Sequence, residues 1–299
     1  MSVYLEKFIL PEKENDLLLG GCVSDIIENI YPFRIFADET DSFLSEVDFD
    51  KITIFYGGNG SGKSTLCNLI AQKLDLIRIA PFSTGELFNK YLYNCDYRMA
   101  FDEYGYKYRV PNGSRIITSD EVFDYLIASR LYNEYVAEKT NELNARYDEL
   151  VGGKTFKFNG LDDYEDLKLQ CLARKKSLSR HAFLKKVAGE EVAQGSNGET
   201  ALCFFEKKLL DNTLYILDEP ENSLSPIFQL KLKDILQDLA KNCGCQFIIA
   251  THSPFLLSLD NAKIYNLDAK PVTINKWYEL ENCKVYYDFF KKNEQYFLD

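Results

Sequence analysis

The chain has 299 residues, of which 46% are hydrophobic and 27% charged, an ordinary globular balance that excludes a mainly disordered polymer and leaves room for a sizeable core. Its 46 Asp and Glu against 35 Lys and Arg give a formal charge of −11, which argues against coating nucleic acid or an anionic membrane by bulk charge. No apolar run reaches the roughly 18 residues of a membrane-spanning helix, and Met1–Lys7 lacks the pattern of a secretory leader.

The cysteines, Cys22, Cys67, Cys95, Cys171, Cys203, Cys243, Cys245 and Cys283, form no Cys-x-x-Cys pair, and the chain has only 2 His. They read as reduced core residues of a cytoplasmic protein rather than as a zinc site. Cys243 and Cys245 flank Gly244 and read as a helix-to-strand turn before a redox pair.

Short strand-like runs, Val3–Leu10 and Phe33–Ala37, come first, with acidic loops between them. Lys51-Ile52-Thr53-Ile54-Phe55-Tyr56 alternates and is β-branched, as in a buried strand. A glycine-rich turn follows, and Leu66–Leu74 then has helical spacing. Residues 75–119 are tyrosine-rich and read as irregular, except that Ser114–Thr118 is strand-like. A helix is expected over about 120–150, a hairpin between Gly152-Gly153 and Asn159-Gly160, and a second helix over about 162–188. Together they make a small helical arm.

A further helix runs through about Leu210, followed by strand Thr213–Leu217, helix Pro226–Asn242 and strand Gln246–Ala250. The C-terminal stretch reads as strand, the segment Trp277–Glu281 and an aromatic helix. Alternating apolar strands and helices imply a parallel, helix-covered sheet.

Three strand ends carry chemistry. Gly57-Gly58-Asn59-Gly60-Ser61-Gly62-Lys63-Ser64-Thr65 fits G-x-x-x-x-G-K-[ST] between a strand and a helix. Its glycines let backbone N–H groups wrap phosphates, Lys63 would reach the β- and γ-phosphates, and Ser64 would hold Mg²⁺. Leu214–Leu217 ends in Asp218-Glu219: Asp218 would orient the Mg²⁺ shell and Glu219 would position or deprotonate the attacking water. Phe247–Ala250 ends in Thr251-His252, which places His252 at the same sheet end as Asp218 and near a γ-phosphate. The turn Ser196-Asn197-Gly198-Glu199 has no specific meaning alone.

In this order, Gly-x-Asn-Gly-Ser-Gly-Lys-Ser-Thr, Ser-Asn-Gly-Glu, Leu-Asp-Glu-Pro-Glu-Asn-Ser-Leu-Ser-Pro and Ala-Thr-His-Ser-Pro resemble the ABC-type ATPases of the SMC/RecF-like and OLD-like branch, often called AAA-family ATPases. The resemblance covers roughly residues 50–75 and 194–258. It implies a P-loop NTPase of α/β class: an ABC-ATPase-like head with a mostly parallel sheet and an inserted helical arm. The boundaries would be 1–119 and 191–299 for the two head lobes and 120–190 for the arm.

It also implies ATP and Mg²⁺, and a homodimer in which Ser196, Gly198 and Glu199 complete the site on ATP held by a second subunit. His252 matches the switch histidine, and Glu221–Pro226 matches the segment crossing between the two sites. Several features depart from the pattern. The branch often has His where Ser225 stands, Gln194 replaces a usual Leu, and Ser119-Asp120-Glu121 stands where the lobe-linking Gln belongs. Tyr31, Phe33 and Phe36 are candidates for stacking on adenine.

The function expected is ATP hydrolysis that controls a separate effector protein, by analogy in DNA repair or phage defence. The stretch after His252 is too short for the TOPRIM nuclease of OLD-like proteins. Two alternatives stand beside it: a non-hydrolysing ATP-dependent binding module, and a transporter ATPase subunit, against which the missing Gln weighs. Arg174, Lys175, Lys176 and Arg180, with Lys185 and Lys186, form a basic run that reads equally as a nucleic-acid contact or as a solvated face. The tyrosines over 91–108 read more readily as packing than as base stacking.

Overall fold

A computed structural model describes residues 3–11, 44–82, 84–154, 164–191 and 196–298. The first elements are β1 (Leu5–Ile9), β2 (Glu46–Asp48) and β3 (Ile52–Tyr56). Strands β1 and β2 join β4 (Asp96–Met99) in a small antiparallel sheet of order β2-β1-β4. Strand β3 instead enters a six-stranded sheet with β5 (Arg115–Thr118), β6 (Leu214–Asp218), β7 (Gln246–Ala250), β8 (Lys263–Asn266) and β9 (Thr273–Asn275). The order is β5-β6-β7-β3-β8-β9, parallel except for β9, which pairs antiparallel with β8.

Strands β3, β6 and β7 are buried at every position, which is why their sequences are apolar apart from Thr53, Asp218 and Gln246. Between and beside the strands lie α1 (Lys63–Lys73), α2 (Glu86–Asn94), α3 (Ser119–Gly152), α4 (Tyr164–Ala173), α5 (Arg180–Ala188), α6 (Asn197–Lys208), α7 (Pro226–Asn242), α8 (Pro254–Leu257) and α9 (Glu281–Lys292). Helix α1 packs on β6 and β7. Phe8, Phe55, Leu66, Ile70, Phe88, Ile216 and Ile248 share one core that spans both sheets.

The side-chain amide of Gln246, fully buried, ties the two sheets together. Its Oε1 accepts from Tyr4 N and Leu5 N, each at 2.9 Å, and its Nε2 donates to Leu5 O at 2.9 Å and Asp50 O at 3.2 Å. All four hydrogen-bonding positions of a primary amide are thereby used, so its burial leaves nothing unpaired.

The described residues divide into two compact units, Met1–Phe123 with Asn197–Asp299, and Asp124–Ser196. The first, the head, holds both sheets. The second, the arm, has its own small core of Leu143, Leu150, Ala173, Phe183 and Ala188.

The structure corrects three readings of the sequence. The helix expected over about 162–188 is two helices, α4 and α5. Between them Lys175 N and Leu178 N bond to Leu172 O and Lys175 O in turns, and Ser179 then caps α5 by accepting from Ala182 N at 3.2 Å. The stretch 75–119 is not irregular throughout: it contains α2 and β4, anchored by buried Phe88, Tyr91 and Met99. The segment at Trp277 is a 3-10 turn, Trp277–Glu279, ahead of α9.

Gly244 turns with φ +69° between α7 and β7, and Cys243 and Cys245 are both free thiols. The Cys245 thiol donates to Leu210 O at 3.1 Å. Phe33–Ala37, Cys22, Tyr31, Phe36, Gln194 and the tip of the expected hairpin lie outside the described residues.

Candidate functional site

The turn after β3 is a left-handed excursion that L side chains disfavour: Gly60 has φ +85° and Gly62 φ +97°. A Cβ at Gly57 would collide with the Ser61 hydroxyl, so that position needs glycine for space. Gly62 is the N-cap of α1, and Leu66 N returns to Gly62 O at 2.9 Å to close the first turn. Lys63 is buried, and its ammonium donates to Gly57 O at 2.7 Å and Gly58 O at 3.0 Å. It therefore curls back into the loop. Asn59, Gly60 and Ser64 are exposed, Ser61 is half-buried and Thr65 is buried. The Ser61 hydroxyl is buried without a partner.

Register puts the other strand ends beside this loop. Asp218 pairs with Ala250 across β6 and β7, and α1 packs over both strands. Ser64 Oγ donates to Asp218 Oδ1 at 2.9 Å. Burial pushes the Asp218 carboxyl up to about 6. The Ser64 hydrogen bond opposes that rise and the neighbouring Glu219 charge adds to it.

Glu219 adopts φ +49°, rare for a residue with a Cβ, and its N–H donates to Ala250 O at 2.9 Å. The strained turn leaves its carboxylate one-quarter exposed, with Oε1 3.8 Å from Lys63 Nζ and Oε2 accepting from Asn222 Nδ2 at 3.0 Å. One acid is thus buried against the loop's serine, and the next is water-accessible beside the loop's lysine.

His252 follows β7 and is half-exposed, with Nδ1 3.6 Å from Glu221 Oε1. Glu221 is the organiser of this turn. Its buried Oε1 accepts from Thr251 Oγ1 at 2.5 Å, His252 N at 3.0 Å and Ser253 N at 3.3 Å. On the other side, Asn282 Nδ2 donates to His252 O at 2.6 Å, and Asn282 N–H donates to Tyr56 Oη at 3.2 Å. A cavity of about 480 Å³ lies here, bordered by Gly57, Gly58, Asn59, His252, Asp268 and Asn282.

Ser196, Asn197 and Glu199 are exposed at the start of α6. Gly198 is half-buried, and a Cβ there would come within 2.5 Å of the Phe228 ring. Close packing of α6 on α7 therefore demands glycine, independently of any ligand. In the arm, Arg174 Nε donates to Leu150 O at 3.0 Å and Nη2 to Gly153 O at 2.5 Å. Arg180 donates to Asn144 Oδ1 at 2.8 Å and Asn144 O at 2.7 Å. These two members of the basic run hold the arm's own backbone.

Sequence reasoning placed Lys63, Ser64, Asp218, Glu219 and His252 at strand ends, and the structure brings those ends together. It gave Glu221 no role of its own and missed Asn282 and Asp268. Glu221 sits one residue beyond the Asp-Glu-Pro turn, but its three acceptor contacts depend on a loop about 30 residues away. Asn282 and Asp268 belong to no motif. Asp268 is recognisable only from the β3–β8 register, in which Tyr56 pairs with Asn266.

A glycine-rich phosphate loop on the central strand, flanked at one sheet end by an acid pair and a histidine, defines the class of this protein as an ABC-type P-loop ATPase. A family model described as "AAA domain, putative AbiEii toxin, Type IV TA system" matches residues 52–258, and the chain belongs to that family.

The chain is also 24% identical over 274 residues to an uncharacterized ABC transporter ATP-binding protein/permease of Saccharomyces cerevisiae, a match covering 82% of this chain but 19% of that protein. Among solved structures it is similar to the SMC head domain from Thermotoga maritima, at 17% identity and TM-score 0.35 over 92% of this chain and 99% of that one. The Smc head domain from Pyrococcus furiosus bound to the C-terminal domain of ScpA is similar at 12% identity and TM-score 0.41, over 96% and 99%. Among the described residues, no helix is long and apolar enough to cross a membrane.

Proposed function

We propose that the head binds ATP with Mg²⁺ and hydrolyses it to ADP and phosphate. The observation that carries this reading is the 2.9 Å hydrogen bond from Ser64 to Asp218, made beside Lys63 inside the loop. A hydroxyl and a carboxylate are the hard oxygen donors that Mg²⁺ prefers, so Ser64 and Asp218 fit the ion. When bound, Mg²⁺ would neutralise charge on the β- and γ-phosphates.

The protein's own residues do the rest. Loop N–H groups and the N-terminus of α1 cradle the phosphates. Lys63 exchanges its carbonyl partners for phosphate oxygens. Glu219, exposed enough to meet water, orients it and takes its proton. His252 faces the γ-phosphate from the β7 turn that Glu221 fixes.

In this reading Ser196, Gly198 and Glu199 act on ATP held by a second copy, so that ATP closes a homodimer and its loss opens it. The lobes 1–119 and 191–299 would then pass the change to the arm, 120–190, and through it to a separate effector in the cytoplasm. The matched family is described as a "putative AbiEii toxin" of a type IV toxin–antitoxin system, so the reading extends to a role in such a system, and by analogy in DNA repair or antiviral defence. Any nucleic-acid contact of the basic run would fall to Lys175, Lys176 and Lys186, because Arg174 and Arg180 already hold the arm and Lys185 pairs with Glu190.

The test is Glu219→Gln, which should keep ATP binding, lose turnover and accumulate a closed dimer with ATP, while Lys63→Ala should fail to bind. Turnover at the wild-type rate in Glu219→Gln would remove the role given to Glu219, and in wild type binding without hydrolysis would favour the binding-module alternative.

A further inference from the structure

We propose that Asp268 is a positioning residue for the phosphate loop, acting on the loop from outside it. Asp268 lies just past β8. Tyr56 pairs with Asn266, and Leu267 N donates to Tyr56 O at 2.8 Å, so the next step of the β3–β8 ladder falls at Gly58 and Asp268. There the loop leaves the sheet and no backbone acceptor follows it. The Asp268 carboxylate takes that place: both of its oxygens lie 2.9 Å from Gly58 N. The side chain is itself aimed by a local turn, in which Asp268 N donates to Asn266 Oδ1 at 3.1 Å.

The peptide unit held in this way matters. Gly58 N–H and Gly57 C=O belong to one planar trans group and point in opposite directions. Asp268 receives the N–H, and Lys63 Nζ donates to that same Gly57 carbonyl at 2.7 Å. One peptide therefore lies between a carboxylate and an ammonium, with a charge-assisted hydrogen bond at each end. Rotating it would break both. Asp268 thus fixes where the lysine rests before a polyphosphate arrives, and holds the loop's first turn open. Glycine at 57 suits the arrangement, because a Cβ there would lie 3.0 Å from Asp268 Oδ1.

The nucleotide half of the test rests on the ATP reading above; the amide half does not. Asp268→Asn keeps an acceptor and loses the charge, whereas Asp268→Ala loses both. Comparing these two neutral variants separates the hydrogen bond from electrostatic repulsion between Asp268 and ATP. Hydrogen exchange at the Gly58 amide, followed by NMR without nucleotide, should be about tenfold faster in Asp268→Ala than in Asp268→Asn. ATP should bind Asp268→Ala about tenfold more weakly than Asp268→Asn, with equal melting temperatures.

Equal exchange at Gly58 in the two variants overturns the proposal, and so do equal ATP affinities. If wild type and Asp268→Asn alike bind no ATP, the ATP reading fails, and the exchange comparison still decides whether Asp268 pins the loop.

Discussion

The head and the arm are held together by different physics. In the head, three central strands are buried at every residue, and both sheets share one continuous core. In the arm, the 34-residue α3 exposes many of its apolar side chains, including Leu131 and Tyr135, and the local core is a small cluster. Polar contacts supplement it. Arg174 covers the carbonyls of Leu150 and Gly153 at the end of α3, and Arg180 bonds to Asn144 while its guanidinium lies 4.9 Å from the Tyr147 ring centroid. Unsatisfied carbonyls at a helix end are a natural seat for arginine. A cluster of positive charge in a sequence can therefore be internal scaffolding before it is a binding surface.

The largest test of the contrast is chemical. Glu219→Gln should lower ATP turnover by roughly 10² to 10⁴-fold, the usual weight of a positioned general base, while circular dichroism and arm proteolysis stay unchanged. Unchanged turnover would mean that the head's acid pair is not the reacting centre.

Next comes a matched pair. Phe205 in the head and Phe183 in the arm are both fully buried. Truncating either to Ala should cost about 3–5 kcal/mol of the packing around it. Phe205→Ala should lower the main calorimetric transition and weaken ATP binding. Phe183→Ala should leave both nearly intact and make the arm sensitive to protease. A common loss of melting temperature in the two variants would show that the units unfold as one.

A smaller effect follows from pH. Burial raises the Asp218 carboxyl from 3.8 to about 6. In the nucleotide-free protein its ionisation opposes folding, so this part of the stability is full below pH 4 and declines as pH rises through 6. The difference of about two units corresponds to roughly 3 kcal/mol at most. Asp218→Asn should raise the melting temperature of the apo head at pH 7.5, with the gain vanishing near pH 4. A gain independent of pH would show that ionisation is not its source.

The smallest effect belongs to the arm. Arg180→Ala should cost about 1–2 kcal/mol of arm stability, since the guanidinium is partly exposed and its bonds are screened. Charge reversal at Lys175 and Lys176, which leaves those bonds intact, should do nothing to stability. It should flatten the salt dependence of any DNA or RNA affinity. Absence of measurable affinity at low salt would end the nucleic-acid reading.

The same division explains what the sequence made legible. A buried strand is legible as a largely apolar run and an amphipathic helix by its spacing and its opening proline, so Gln246–Ala250 and Pro226–Asn242 match their predicted bounds residue for residue. The candidate groups at strand ends were legible because a strand end and a glycine turn are local signals. The break between Ala173 and Arg180 was missed because it holds no Gly or Pro; tight turns at Lys175 and Leu178 and the Ser179 cap make it instead. Helix α2 was missed because tyrosines dominate a stretch in which only Phe88 and Tyr91 of the helix are buried. Asp268, Glu221 and Asn282 were illegible as contacts because each acts through backbone groups far away in the chain, and backbone groups carry no residue identity.

Gln246 has a consequence for how the molecule is made. Its acceptor oxygen serves amides 241 and 242 residues earlier in the chain. Strand β3, which carries the phosphate loop, likewise pairs with β7 and β8. At a synthesis rate of about 5–20 residues per second, the Tyr4 and Leu5 amides wait on the order of tens of seconds for Gln246, and the loop's own strand waits as long for β7 and β8. During that interval the phosphate loop has a sequence but no scaffold, and it becomes a site only when the residues around 246–266 emerge and the sheet closes over it.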